Sequence, residues 1–152
     1  MLRNLTLAAA LLVAGPALAQ DADLTATGDA AEGESAFRQC QSCHVVENAD
    51  GEVLAGRAAK TGPNLYGVVG RTAGVVEDFK YSDIMVAAGE AGMIYDEANF
   101  VAYVQDPTDH LREVADDSSG RGKMTYKVRK EEDALNLYAF LAQFSEEAAA
   151  TN

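Results

Sequence analysis

The sequence predicts an all-α domain in which short helices and long loops wrap around a bound group. Three observations carry that expectation. No stretch alternates apolar and polar residues convincingly, so an extended sheet is not indicated. Residues 131–145 (EEDALNLYAFLAQFS) set Leu137, Phe140, Leu141 and Phe144 on one amphipathic stripe behind an acidic first turn. The other helical patterns are short and joined by glycine-containing loops, which is little material for a self-standing core. With 7% aromatic residues and no Trp, the interior is thin.

Residues 1–19 (MLRNLTLAAALLVAGPALA) carry a basic Arg3, an apolar run from Leu5 to Ala14, and Ala17-Leu18-Ala19 as a cleavage site. The run falls well short of the roughly 20 residues that span a bilayer, so it reads as a cleaved signal peptide and the product as exported. Residues 20–28 follow as a flexible leader. The domain occupies 29–145, and 146–152 form a frayed tail.

Within the domain, Ala30, Ala31, Gly33, Ala36, Phe37 and Cys40 fall at helical spacing, with Glu32 and Glu34 in the first turn. Residues 45–61 read as a loop with a hairpin turn at Asp50-Gly51. Gly62-Pro63-Asn64 is a turn, and Tyr81 to Gly89 a short helix. Asp96 N-caps a helix to Gln105 that shows Phe100, Tyr103 and Val104 on one face, and Pro107 ends it. His110 to Lys123 reads as mostly loop, and the helix at 131–145 closes the domain.

Charge excludes one broad class. Lys and Arg number 12 against 24 Asp and Glu, a net charge of −12, so nucleic acid is not the main partner. Cleavage at residue 19 removes Arg3 and makes the balance more negative still. The 48% hydrophobic and 24% charged residues are those of a folded chain, not a disordered one.

The chemistry is concentrated in Cys40-Gln41-Ser42-Cys43-His44, which holds both cysteines of the chain. On a helical turn, positions three apart sit about 5–6 Å apart at Cβ, wider than the roughly 3.5–4.5 Å of a disulfide. That spacing suits two thioether bonds to one porphyrin, with His44 turned over the ring as an iron ligand; CxxCH is the haem c attachment signature. A redox dithiol would sit in a βαβ unit, a zinc site needs a fourth ligand that only His110 could supply, and a structural disulfide leaves His44 unexplained. Covalent haem c on Cys40 and Cys43 is the expectation.

The sixth iron ligand decides between carrier and enzyme. Met85, between Ile84 and Val86, and Met93 are explained by core packing. Met124 stands in a polar loop, RGKMTYK, where packing gives it no reason to be, and His110 in a hydrophilic turn is its rival. On the residues alone the choice stays open. An open distal site would make a haem enzyme or gas sensor.

Several ordered motifs then match one family. Gly33 and Phe37 precede CQSCH; TGPNLYGVVGR (61–71), DFKYS (78–82), AYVQDP (102–107), GKMTYK (122–127) and LNLYAFL (135–141) follow. Over about residues 28–145 the chain resembles class I c-type cytochromes, in particular the bacterial cytochrome c2 and c550 type. The resemblance implies the class I cytochrome c fold around one haem c, with His44 as proximal and Met124 as distal ligand. It further implies that the Pro63 carbonyl accepts from His44, that Arg71 and Tyr81 bond a haem propionate, and that Tyr103 lies near the methionine sulfur. Tyr95 stands where many members carry a Trp that bonds the inner propionate, and Gly122 where many carry Thr. Residues 111–121 look longer than in the shortest members, and Thr108 and Asp109 stand where lysines are usual.

Function follows as an expectation from that likeness. The chain should be a soluble, monomeric, periplasmic one-electron carrier and not an enzyme. It would move electrons from a cytochrome bc1-type donor to a reaction centre, oxidase or peroxidase, in respiration or photosynthesis. Arg121, Lys123, Lys127, Arg129 and Lys130 put five bases within ten residues around Met124, a docking patch for acidic surfaces of membrane redox complexes.

Overall fold

A computed structural model describes residues 23–150, with side chains through Ser145. The expected signal peptide therefore lies outside the described residues. Seven elements follow in order: α1 (Ala30–Phe37), β1 (Val45–Glu47), β2 (Val53–Gly56), α2 (Asp83–Glu90), α3 (Glu97–Gln105), α4 (Pro107–Val114) and α5 (Glu131–Ala150).

The frame is a crossing of the first and last helices. Asp29 caps α1 by accepting from the Ala31 and Glu32 amides. Gly33 faces α5 so closely that a Cβ there would come within 1.9 Å of the Asn136 carbonyl oxygen. Only glycine fits. Behind it the Phe37 and Phe140 rings meet at 5.3 Å, and Phe140 meets Phe144 edge-on at 5.1 Å. On the other flank of α5, Tyr138 packs on Phe100 of α3 at 5.5 Å. Buried Leu137 and Leu141 complete the stripe that the sequence displays.

Three features differ from the sequence-based expectation, and one loop feature matches it. Pro107 does not merely end a helix: it occupies the first turn of α4, whose N-cap is Asp106, so His110 is helical rather than in a loop. The hairpin expected in the loop after His44 is present, with Val45 opposite Gly56, Val46 opposite Ala55 and the turn at Asp50-Gly51. Residues 24–28, read as a flexible leader, are tied down instead. The Leu24 carbonyl accepts from the Tyr138 hydroxyl, and the Thr27 amide and hydroxyl donate to Glu97. Finally, α5 continues past Ser145 to Ala150, into the residues read as a tail.

Candidate functional site

After α1 the chain makes one more turn, in which the Cys43 and His44 amides both donate to the Cys40 carbonyl. That turn aims both thiols and the imidazole into one cavity of about 300 Å³. All nine residues singled out from the sequence line it: Cys40, Cys43, His44, Pro63, Arg71, Tyr81, Tyr95, Tyr103 and Met124. His110 and Met93 do not, so the structure separates both from the site.

The His44 wall is tight. Its Nδ1 donates to the Pro63 carbonyl at 2.9 Å, which puts the proton on Nδ1 and leaves Nε2 with a lone pair. Burial pushes the His44 pKa down, against the opposing pull of that carbonyl, so the ring is neutral. A Cβ on Gly62 would fall 2.3 Å from the ring, so the backbone itself presses on the imidazole. The position preceding Pro63 in TGPN signals a turn, but nothing in the sequence says what the glycine touches.

The thiols remain separate, and burial, together with the neighbouring Cys43, raises the Cys40 pKa to about 11. A thiol held protonated in this way is a poor redox nucleophile, which counts against a thioredoxin-like dithiol. Among the described residues no cluster of three His, Cys, Asp or Glu side chains could hold a metal, so the zinc reading lacks its ligands.

Elsewhere in the lining, Arg71 gives two N–H groups to the Tyr66 and Asn64 carbonyls at 3.0 and 3.1 Å. No carboxylate among the described residues pairs with it. Burial lowers its pKa, the cost of a cation with little water and no counter-charge. Tyr81, stacked edge-on against Phe79 at 4.8 Å, lies beside it. Tyr103 is buried and stays protonated because burial raises its pKa. The Tyr95 hydroxyl donates to the Met85 sulfur at 3.6 Å. Met85, read from sequence as core packing alone, also lines the cavity. Nine residues of intervening chain hid that pairing.

Comparison with known proteins agrees with this geometry. The chain is 60% identical to cytochrome c2 of Rhodovulum adriaticum over 116 residues, which covers 76% of this chain and 92% of that one. With cytochrome c2 of Cereibacter sphaeroides it shares 53% over 137 residues, 90% of each. With cytochrome c-550 of Paracoccus versutus it shares 45% over 144 residues, 93% of this chain and 88% of that one. The chain is a class I c-type cytochrome of the cytochrome c2 and c-550 type. Its backbone agrees with that of cytochrome c2 from Rhodobacter sphaeroides at a TM-score of 0.75 and 56% identity, over 76% of this chain and 95% of that structure. No family model matches the chain.

A cytochrome of this type is an electron carrier, and it holds one haem c covalently through Cys40 and Cys43. The residues present fit that group. The cavity offers two unjoined thiols, a neutral imidazole with a free lone pair, a thioether, and a buried guanidinium in want of an anion.

Proposed function

We propose that this cytochrome is a periplasmic one-electron shuttle, exported by residues 1–19, that carries electrons between membrane redox complexes through a His44/Met124-ligated haem. The observation that carries the reading is the single cavity lined by Cys40, Cys43, His44 and Met124 together, which would hold the haem covalently and offer its iron one imidazole and one thioether. When bound, the haem supplies a one-electron ferric/ferrous couple whose potential His/Met ligation raises.

The chain's own residues do the rest. The Pro63 carbonyl fixes the His44 tautomer and raises its basicity. Arg71 and Tyr81 supply N–H and O–H donors for a propionate, and the buried guanidinium gains the counter-charge it otherwise lacks. Tyr103 of α3 and Tyr95, their rings edge-on at 5.9 Å, contribute to the lining. Apolar neighbours such as Leu65, Val68 and Leu137 exclude water. They penalise the more highly charged oxidised state and so favour the reduced one. Each ~59 mV is about 1.4 kcal/mol for one electron, so small changes in this lining retune the carrier.

The docking face is the cavity mouth. Lys123, Met124 and Tyr126 line the cavity, Arg121 and Lys127 line a hollow that shares Met124, and Arg129 and Lys130 follow, exposed, in the same stretch of chain. Lys127 pairs with Asp106, and the Lys123 ammonium donates to the Lys80 carbonyl, which anchors it without neutralising it. A basic rim on an acidic protein suits an acidic partner surface. Among the described residues no helix is long and apolar enough to cross a membrane.

Stopped-flow electron transfer to isolated membranes tests this reading. Rates should fall as ionic strength rises, despite the net charge of −12, because the local rim and not the total governs encounter. Rates that rise with salt would defeat the docking face. The ferrous protein should also resist carbon monoxide; rapid binding would point to an open-site haem enzyme or gas sensor.

A further inference from the structure

The cavity offers two thioethers. Met85 on α2 lines it together with Met124. Met85 is 5% exposed, and its sulfur accepts the Tyr95 hydroxyl at 3.6 Å. Tyr95 is fixed on all sides: its amide donates to the Arg71 carbonyl, its carbonyl accepts from Gly70, and its ring meets Tyr103 edge-on at 5.9 Å. Burial holds that phenol protonated, so it remains a donor. Among the described residues the Met85 sulfur is its only hydrogen-bond acceptor.

Two methionine sulfurs are chemically equivalent ligands for a haem iron, so something other than intrinsic affinity must choose between them. Met85 is unbranched and has the torsional freedom to re-aim its sulfur within the cavity. Doing so strands the buried Tyr95 O–H without a partner. An unsatisfied buried donor costs enough to disfavour the released conformer by about tenfold or more.

We propose that Tyr95 is a positioning residue that holds the Met85 sulfur away from the metal, and that Met85 is a reserve axial ligand which engages when Met124 is removed or withdrawn. The inference rests on the His44/Met124 ligation proposed above. It gives the tyrosine that replaces the usual Trp a task of its own: selecting which of two sulfurs binds.

The test uses the ferric holoprotein and reads thioether ligation directly, by the thioether-to-ferric charge-transfer absorption and the shifted methyl resonance of a bound methionine. Met124→Ala should leave a small thioether-ligated fraction. Adding Tyr95→Phe should raise the ratio of ligated to unligated protein by about tenfold, matching the lost restraint, and adding Met85→Leu should abolish the signal. No gain with Tyr95→Phe, or a signal that survives Met85→Leu, overturns the proposal. Should Ala at position 124 fail to accumulate, Met124→Leu, closer in volume, is read in the same way. Met85→Leu alone should keep the full signal; its loss would instead make Met85 the ordinary ligand and sink the Met124 assignment.

Discussion

On the His44 side of the cavity the chain is held by its own backbone, whereas on the Met124 side it is held by side chains reaching in from other elements. Around His44 the Gly62 amide donates to the Cys43 carbonyl, the Leu65 amide to Val45, and the imidazole to Pro63. Met124 sits in a stretch from 115 to 130 with no helix or strand. Its tethers are the Gly122 amide on the Thr108 hydroxyl at 3.3 Å, the Arg112 guanidinium on the Gly120 carbonyl at 2.9 Å, and Lys127 on Asp106. Past Met124, the Val128 amide bonded to the Val104 carbonyl at 2.8 Å ties the stretch to α3 by main chain. The imidazole is thus fixed against main-chain carbonyls and amides, and the thioether by side-chain contacts that can yield one at a time. The Met124 side should let go first.

That contrast can be broken most forcefully at the ligand itself. Met124→His should keep a low-spin haem but lower the potential by a sizeable part of the roughly 0.8 V range that axial ligands span. An unchanged potential in a redox titration would remove Met124 from the iron. Next is Gly62→Ala, whose Cβ collides with the His44 ring. Overpacking there should destabilise the folded holoprotein by about 1–3 kcal/mol in denaturant melts, with the proximal side, normally the firmer, now failing first. Thr108→Val removes the acceptor for the Gly122 amide and should cost about 1 kcal/mol. The loss should appear as earlier release of the methionine, followed by its charge-transfer absorption, with the His44 side unchanged.

Acid gives the smallest effect. The Lys127 ammonium is the chief reason the exposed Asp106 carboxyl lies below the usual aspartate range. The tether is therefore whole at and above that range and is lost as pH falls through the lowered value. Asp106→Asn should flatten this acid limb of Met124 release; an identical profile in the variant would dissociate the pair from the loop.

How much of this was legible depended on whether the cause was local. CQSCH, the cap at Asp96 and the apolar stripe of α5 each act within a few residues, and each is found where the sequence puts it. Helix α4 was missed because Pro107 can stop one helix and start the next, and the Asp106 side chain that decides it also serves Lys127. The strap at 24–28 escaped because its partners, Glu97 and Tyr138, are distant in sequence. The Tyr95–Met85 contact escaped for a related reason: each residue had a sufficient explanation on its own, and only the cavity gives them a joint one.

The crossing of α1 and α5 has a bearing on how the protein is made. The Asp29 amide finds its acceptor on Asn136, 107 residues away, and Gly33 nests on the same stretch. A chain emerging from its amino end cannot seal that joint until almost all of it has arrived, and closing so long a loop is slow. Until then the two thiols stand open to whatever enzyme joins them to porphyrin. The late clasp thereby leaves the attachment turn uncovered by α5 until the carboxyl-terminal part of the chain has arrived.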